Sequence, residues 1–389
     1  MTDLLLADVR PLGGAVQDVL VRGGRIAAIA PGLVADTPRL EGQGRLLLPA
    51  FVEAHTHADK TLWGLPWRPN TAGPTLRDYI ENERRVLAEV TASTHERAGG
   101  LLRHLASLGS LAIRSHTDIH PDTGVASVEA MLGLKRELAD LLDLQVVAFP
   151  QQGLLSRPGT EALMRRAAKL GIDALGGLDP AGIDNDSEGQ LRFLFDLAGE
   201  TGCGLDIHLH DRGTLGLWQL ERIAAYTAER GLGGKVMVSH AYCLGEAGNT
   251  RLRGLADSFA KAGVAIMTTA PADGPAPPIK ALRAAGVTVC SGNDGIRDAW
   301  SPLSTGDQLE RAYLIALRFD FAADADLALA LECVTGQAAK AIGLEGYGLE
   351  VGCRADLVLL PAETLGEAIV QRPRERTVIR RGRVLGKPT

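Results

Sequence analysis

Between residue 46 and about residue 300 the chain alternates short apolar runs with longer stretches in which apolar residues recur every three and four positions. The short runs predict strands: LLLPAFV (46–52), SLAIR (110–114), LQVVAF (144–149), ALGGL (174–178), GLDI (204–207), KVMVS (235–239), VAIMT (264–268) and VTVCS (287–291). Stretches such as VEAMLGLKRELADLL (128–142) and TEALMRRAAKL (160–170) carry the spacing of amphipathic helices. Eight strands, each followed by a helix, predict an α/β fold in which a parallel sheet closes into a (β/α)8, TIM-like barrel. An open doubly wound sheet would show a Gly-rich phosphate turn after its first strand, and none follows here.

The flanks follow a different pattern. DVLVRGGRIAAIAPG near the N-terminus and RTVIRRGRVLG near the C-terminus each read as a β-hairpin, with RGGR and RRGR as the turns. The two ends are expected to pair into a small β-sandwich domain made of residues 1–48 and 346–389, flanking a catalytic barrel of residues 49–345. The Pro-rich PADGPAPPIK (271–280) falls just after the seventh strand and reads as a rigid active-site loop.

Composition narrows the partners. Hydrophobic residues make up 46% of the chain and charged residues 23%, the balance of a globular protein with a large core. Forty-one basic against 47 acidic side chains leave a net charge of −6 with no basic run, which argues against nucleic acid and anionic membrane as partners. No basic leader and no run of about 18 apolar residues is present, so a cytoplasmic location is expected. The five cysteines are scattered without a CxxC pair and are expected to be free, buried thiols. Nothing fixes the oligomeric state, and a homo-oligomer is left open.

In such a barrel, catalytic groups come from the C-terminal ends of the strands. Strand one leads to His55 and His57, strand two to His116 and Asp118, strand three to Gln151 and strand four to Asp179. Strand five leads to His208, His210 and Asp211, strand six to His240 and strand eight to Asp294. With His120, seven of the nine histidines follow a strand, a concentration that a divalent ion explains. Neutral imidazoles and one carboxylate suit zinc or iron, and residues 55 and 57, two apart in an extended chain, point to one side and grip one ion. An ion so held lowers the pKa of its water from 15.7 to about 7.

The HTH pair after FVEA, the histidines after strands five and six, NDGIRDAW and the late ADLVLLPA resemble the amidohydrolase superfamily in its cytosine deaminase branch. GGLDPAGIDNDSEG, DIHLHDRGTLG and SGNDGIRDAW are most similar to the N-isopropylammelide isopropylaminohydrolases, which take an alkylamine from a triazine ring. The resemblance implies a metal-dependent hydrolase that removes an exocyclic amine or alkylamine from a small pyrimidine- or triazine-type ring. Rival expectations are cytosine deaminase proper, a cyclic amidase that opens an imide or lactam, and a non-catalytic binding protein on the same barrel. The resemblance also implies one divalent ion held by His55, His57, His208 and Asp294, with His240 beside it and touching substrate. It makes Gln151 and Trp300 substrate contacts. Proton transfer falls to Asp211, where cytosine deaminases have a glutamate, with His240 and Asp294 as partners in it.

Gly295 stands where cytosine deaminases carry a second aspartate, so a roomier pocket lacking that acceptor is expected, one that favours a substituted amine over cytosine. His116, Asp118 and His210 are read as groups that brace the mouth, and His120 and Asp179 either as solvated loop residues or as site groups. Trp63 and Trp67 are read as core packing and Cys243 as a small buried residue. Lys60 is not expected to be a bridging, carbamylated ligand, because that ligand belongs at strand four, where Asp179 stands.

Overall fold

The computed structural model describes residues 2–386. Strands β1 (Leu4–Pro11), β2 (Gln17–Arg22), β3 (Arg25–Ala30) and β4 (Arg39–Pro49) come first. The chain then enters a run of eight parallel strands: β5 (Phe51–Thr56), β6 (Ser110–Asp118), β7 (Asp143–Phe149), β8 (Ala174–Leu178), β9 (Gly204–Leu209), β10 (Val236–His240), β11 (Val264–Thr268) and β12 (Val289–Ser291). It ends in β13 (Leu357–Leu360), β14 (Thr377–Arg380) and β15 (Arg383–Val384). Seven of the eight expected barrel strands fall where the apolar runs place them. The first does not: residues 46–49 belong to β4 of the terminal sheet, and the barrel strand starts at Phe51. One unbroken apolar run serves two sheets, because Leu46 and Leu48 pack towards the barrel while Leu47 faces the core of the terminal sheet.

The eight strands pair in sequence order, β5 to β12. A bridge between Thr56 and Asp294 closes the ring. Closure brings two backbones together at Gly292, where a Cβ would lie 2.6 Å from the nitrogen and oxygen of His55. Only a residue without a side chain fits there, so the glycine sets how near Asp294 comes to the first pair of histidines.

The terminal strands form one seven-stranded sheet in the order β15-β14-β13-β4-β1-β2-β3, antiparallel except for β1 against β4. Its β3 edge is joined to the segment that leads into β13, with Ile26 N donating to Cys353 O and Ala355 N to Gly24 O. Leu4, Val19, Ile26, Leu357 and Ile379 fill the space inside. Both expected hairpins are present, with positive φ at Gly23 and Gly24 and at Arg381 and Gly382, the left-handed pair that a two-residue turn needs.

An ion-pair cluster ties this sheet to the barrel. The nearly inaccessible Arg380 donates to Asp143 Oδ1 of β7 at 2.7 Å and to Asp356 Oδ2 at 2.9 Å. Arg354 also meets both carboxylates, at 2.8 Å and 3.3 Å, so Arg380→Ala removes part of their pairing and is expected to cost about 2 kcal/mol of stability, read as a lower denaturation midpoint. Among the described residues no helix is long and apolar enough to cross a membrane. All five cysteines are free, and Cys203, Cys243, Cys290 and Cys333 are buried.

Candidate metal centre and active site

At the C-terminal mouth of the barrel the expected ligands converge. His57 Nε2 lies 3.1 Å from Asp294 Oδ1 and 3.3 Å from His208 Nε2, and His55 Nε2 is 3.6 Å from the same Asp294 oxygen. Ligand atoms about 2.0–2.1 Å from one tetrahedral ion would stand about 3.3 Å apart, so the spacing fits a single ion. His55 and His208 also form part of two overlapping ligand groups, one completed by His57 and His116, the other by His240 and Asp294.

The protonation of the site follows from what lies behind it. Ser239 Oγ has one hydrogen, and it goes to Asp206 Oδ1 at 2.8 Å. The same oxygen must then accept from His55 Nδ1, 2.9 Å away. That leaves a lone pair on His55 Nε2, a fully buried atom with no hydrogen-bond partner, which is the state a metal ligand requires. Arg114, 3.2 Å from Asp206, keeps this carboxylate paired from beneath.

Burial holds His57, His208 and His240 well below the usual histidine range, so these rings are neutral. Burial opposes charge on Asp294 too, but the His55 and His57 rings beside it outweigh that and hold the carboxyl well below its ordinary value. His240, Asp294 and Asp179 all take positive φ, backbone strain gathered where the strands end.

Above these residues opens a cavity of about 770 Å³. His57, His208, His240, Asp294, Gln151, Trp300 and Gly295 line it as expected. The Pro-rich loop contributes Pro271 and Ala272, in agreement with its reading as an active-site loop.

Other placements differ from expectation. Asp211 is not among the lining residues: its carboxylate accepts from Gln219 Nε2 at 2.9 Å and Gly182 N at 3.2 Å. His210 lines the cavity instead of bracing it from behind. Residues 208 and 210 share parity along the chain, and β9 ends at Leu209, leaving His210 to stack on His240 at 4.4 Å. Its Nδ1 donates to Asp179 Oδ2 at 2.8 Å. Burial works against charge on this ring, and Asp179 more than offsets it, so His210 lies above the usual histidine value. Asp179 is thereby a buried anchor and not a solvated loop residue. His120 stays outside, against Thr123. His116 is fully buried beneath the site, next to Asp206. Trp63 stacks on His104, but Trp67 is exposed and packs in no core.

One wall escaped the sequence reading. Lys60 is buried against Asp118 at 3.0 Å and donates to Gln151 Oε1, while Gln151 Nε2 donates to Glu83 Oε1 at 2.7 Å. Glu83 and Tyr79 come from the helix Leu76–Ala88, which folds over the mouth so that Tyr79 stacks on Trp300 at 5.3 Å. Burial pushes the Glu83 carboxyl up to about 8, with Lys60 beside it working against the shift. The signal available was AHTHADK, a lysine three residues past the second ligand; nothing in the periodicity showed that a later helix would cover it.

The amidohydrolase family model matches residues 81–385. The chain belongs to this family. It is 34% identical over 385 residues to N-isopropylammelide isopropyl amidohydrolase of Pseudomonas sp. (strain ADP), covering 96% of this amidohydrolase and 94% of that one. Among solved structures it is similar to N-isopropylammelide isopropylaminohydrolase from Burkholderia multivorans ATCC 17616, with 44% identity, a TM-score of 0.95 and 99% and 98% of the two chains covered. It is also similar to 5-methylcytosine deaminase from Klebsiella pneumoniae, solved with 5-fluorocytosine, at 30% identity and a TM-score of 0.87 over 99% and 98% of the chains.

Proposed function

We propose that this amidohydrolase is a metal-dependent aminohydrolase that removes an exocyclic amine or alkylamine from a planar pyrimidine- or triazine-type ring. The observation that carries the reading is the meeting of three imidazoles and one ionised carboxylate under a cavity with both aromatic and hydrogen-bonding walls. Its relatives, named as ring aminohydrolases and deaminases, support it.

His55, His57, His208 and Asp294 would hold one zinc or iron ion, which when bound makes water acidic enough to act as a nucleophile near neutral pH. The remaining work belongs to the chain. Trp300, stacked on Tyr79, offers an apolar face for a ring, and Lys60, Glu83 and Gln151 form the polar wall that fixes its orientation. His240, 3.9 Å from Asp294 Oδ2, is placed to hydrogen-bond an oxygen at the reacting carbon. His210, held by Asp179, takes the proton-transfer role in place of Asp211, whose carboxylate is engaged outside the cavity.

The test is a screen of aminated pyrimidines, aminotriazines and pterins for amine release, with mass analysis of the product. An intact hydroxylated ring with free amine is expected. Ring opening without amine release would place the protein with the cyclic amidases.

A further inference from the structure

Gly295 follows the ligand Asp294 and leaves a gap in the cavity wall that a second aspartate would have filled. The gap is occupied. A Cβ at Gly295 would lie 2.3 Å from Asp298 Oδ2 and 2.8 Å from its Cγ and Oδ1, so the Asp298 carboxylate stands in that space. The roomier pocket expected from the sequence is therefore not realised at this point, and a carboxylate is present after all.

The two oxygens of Asp298 have different surroundings. Oδ1 accepts from Trp300 N and Ser301 N, both at 2.8 Å, and closes the turn that sets Trp300 in the wall. Among the described residues no group donates to Oδ2, although Asp298 is 7% exposed and lines the cavity. An acceptor left over at the surface of a binding cavity is stabilised only by water or by a donor on the ligand. Burial raises this carboxyl to about 6, which leaves it largely ionised at neutral pH.

We propose that Asp298 Oδ2 is the acceptor that reads an N–H of the substrate, on the ring nitrogen or amine beside the carbon that is attacked. Asp298 and the ligand Asp294 share one loop, which puts the contact close to the reacting carbon. The inference deepens the ring-aminohydrolase reading and rests on it. It defines the substrate class as rings that carry a donor at that nitrogen, and it makes methylation there a cause of rejection.

Asp298→Asn separates this role from turn formation. The amide oxygen can still accept from Trp300 N and Ser301 N, while an NH₂ replaces Oδ2. For a ring with the N–H, kcat/KM is expected to fall about 30-fold or more, mostly through KM, with metal content and melting temperature unchanged. For the N-methylated ring, poor with the native enzyme, the change should stay within about threefold, because no hydrogen bond is lost. Calorimetric titration with the ring product should show the same loss of affinity. Gly295→Ala, whose methyl would push Asp298 aside, should reproduce the loss even if Asp298→Asn folds poorly, and the double variant should lose no more than either single one. If the native protein releases amine and Asp298→Asn keeps kcat/KM within about threefold on every ring, Asp298 only forms the turn and the inference is overturned. If the native protein releases amine from no ring, the ring-aminohydrolase reading fails first and takes this inference with it.

Discussion

His55→Ala and His208→Ala are expected to yield protein without its divalent ion and with turnover lower by at least about 1000-fold. The reason is geometric. His55 and His208 belong to both ligand groups at the barrel mouth, so the loss of either one takes a ligand atom from each group. The rate loss follows from water returning towards its own pKa, far above the pH of the reaction. The ion should also stabilise the fold, by about 4 kcal/mol when free metal exceeds its dissociation constant a thousandfold. Chelator should therefore lower the melting temperature of the native protein and leave that of the two variants unchanged. Metal analysis decides the matter: one ion per native chain and none in the variants is the expected result. Two ions per native chain, or full occupancy in either variant, contradicts it.

His210→Ala should lower kcat by about 100-fold or more with the metal retained, while Asp211→Asn should stay within about threefold. The contrast comes from where two consecutive side chains go. His210 lines the cavity, stacked on His240 and gripped by Asp179, whereas the Asp211 carboxylate is taken up by Gln219 and Gly182. A merely positioning role for His210 would not be relieved by a soluble proton carrier, so added imidazole should restore part of the rate to His210→Ala. Loss of activity in Asp211→Asn with little effect in His210→Ala would return the role to Asp211.

Much of this protein could be read from its sequence. The alternation of apolar runs and amphipathic stretches gave the number and order of the barrel strands, because burying a parallel sheet and its covering helices leaves a local period in each segment. The two hairpins were legible in RGGR and RRGR, since each turn holds a glycine, which takes the left-handed conformation without steric cost. The four proposed ligands stood out because HTH fixes its own geometry and the other two follow strands that any closed barrel must bring to one end.

The tertiary structure decided the rest, for reasons no local pattern carries. One apolar run, 46–52, spans the junction of two sheets, and only the packing partners of Leu46, Leu47 and Leu48 show where one ends. Beyond the last paired residue of a strand, side-chain direction is set by individual backbone angles. Positive φ at Asp179, His240 and Asp294 re-aims these side chains. Alternation from His208 carries on to His210, but only the closed fold shows Asp179 holding that ring and Gln219 taking up Asp211. Lys60 and Glu83 lie 23 positions apart and meet only because a helix folds back over the mouth. Gly295 in the sequence announces a missing carboxylate, and the fold supplies one from Asp298. Sequence determined which chemical groups reach the barrel mouth, since that depends on periods within single elements. Which of them face one another across it was decided by contacts between elements, and those depend on the distances and angles of the closed fold.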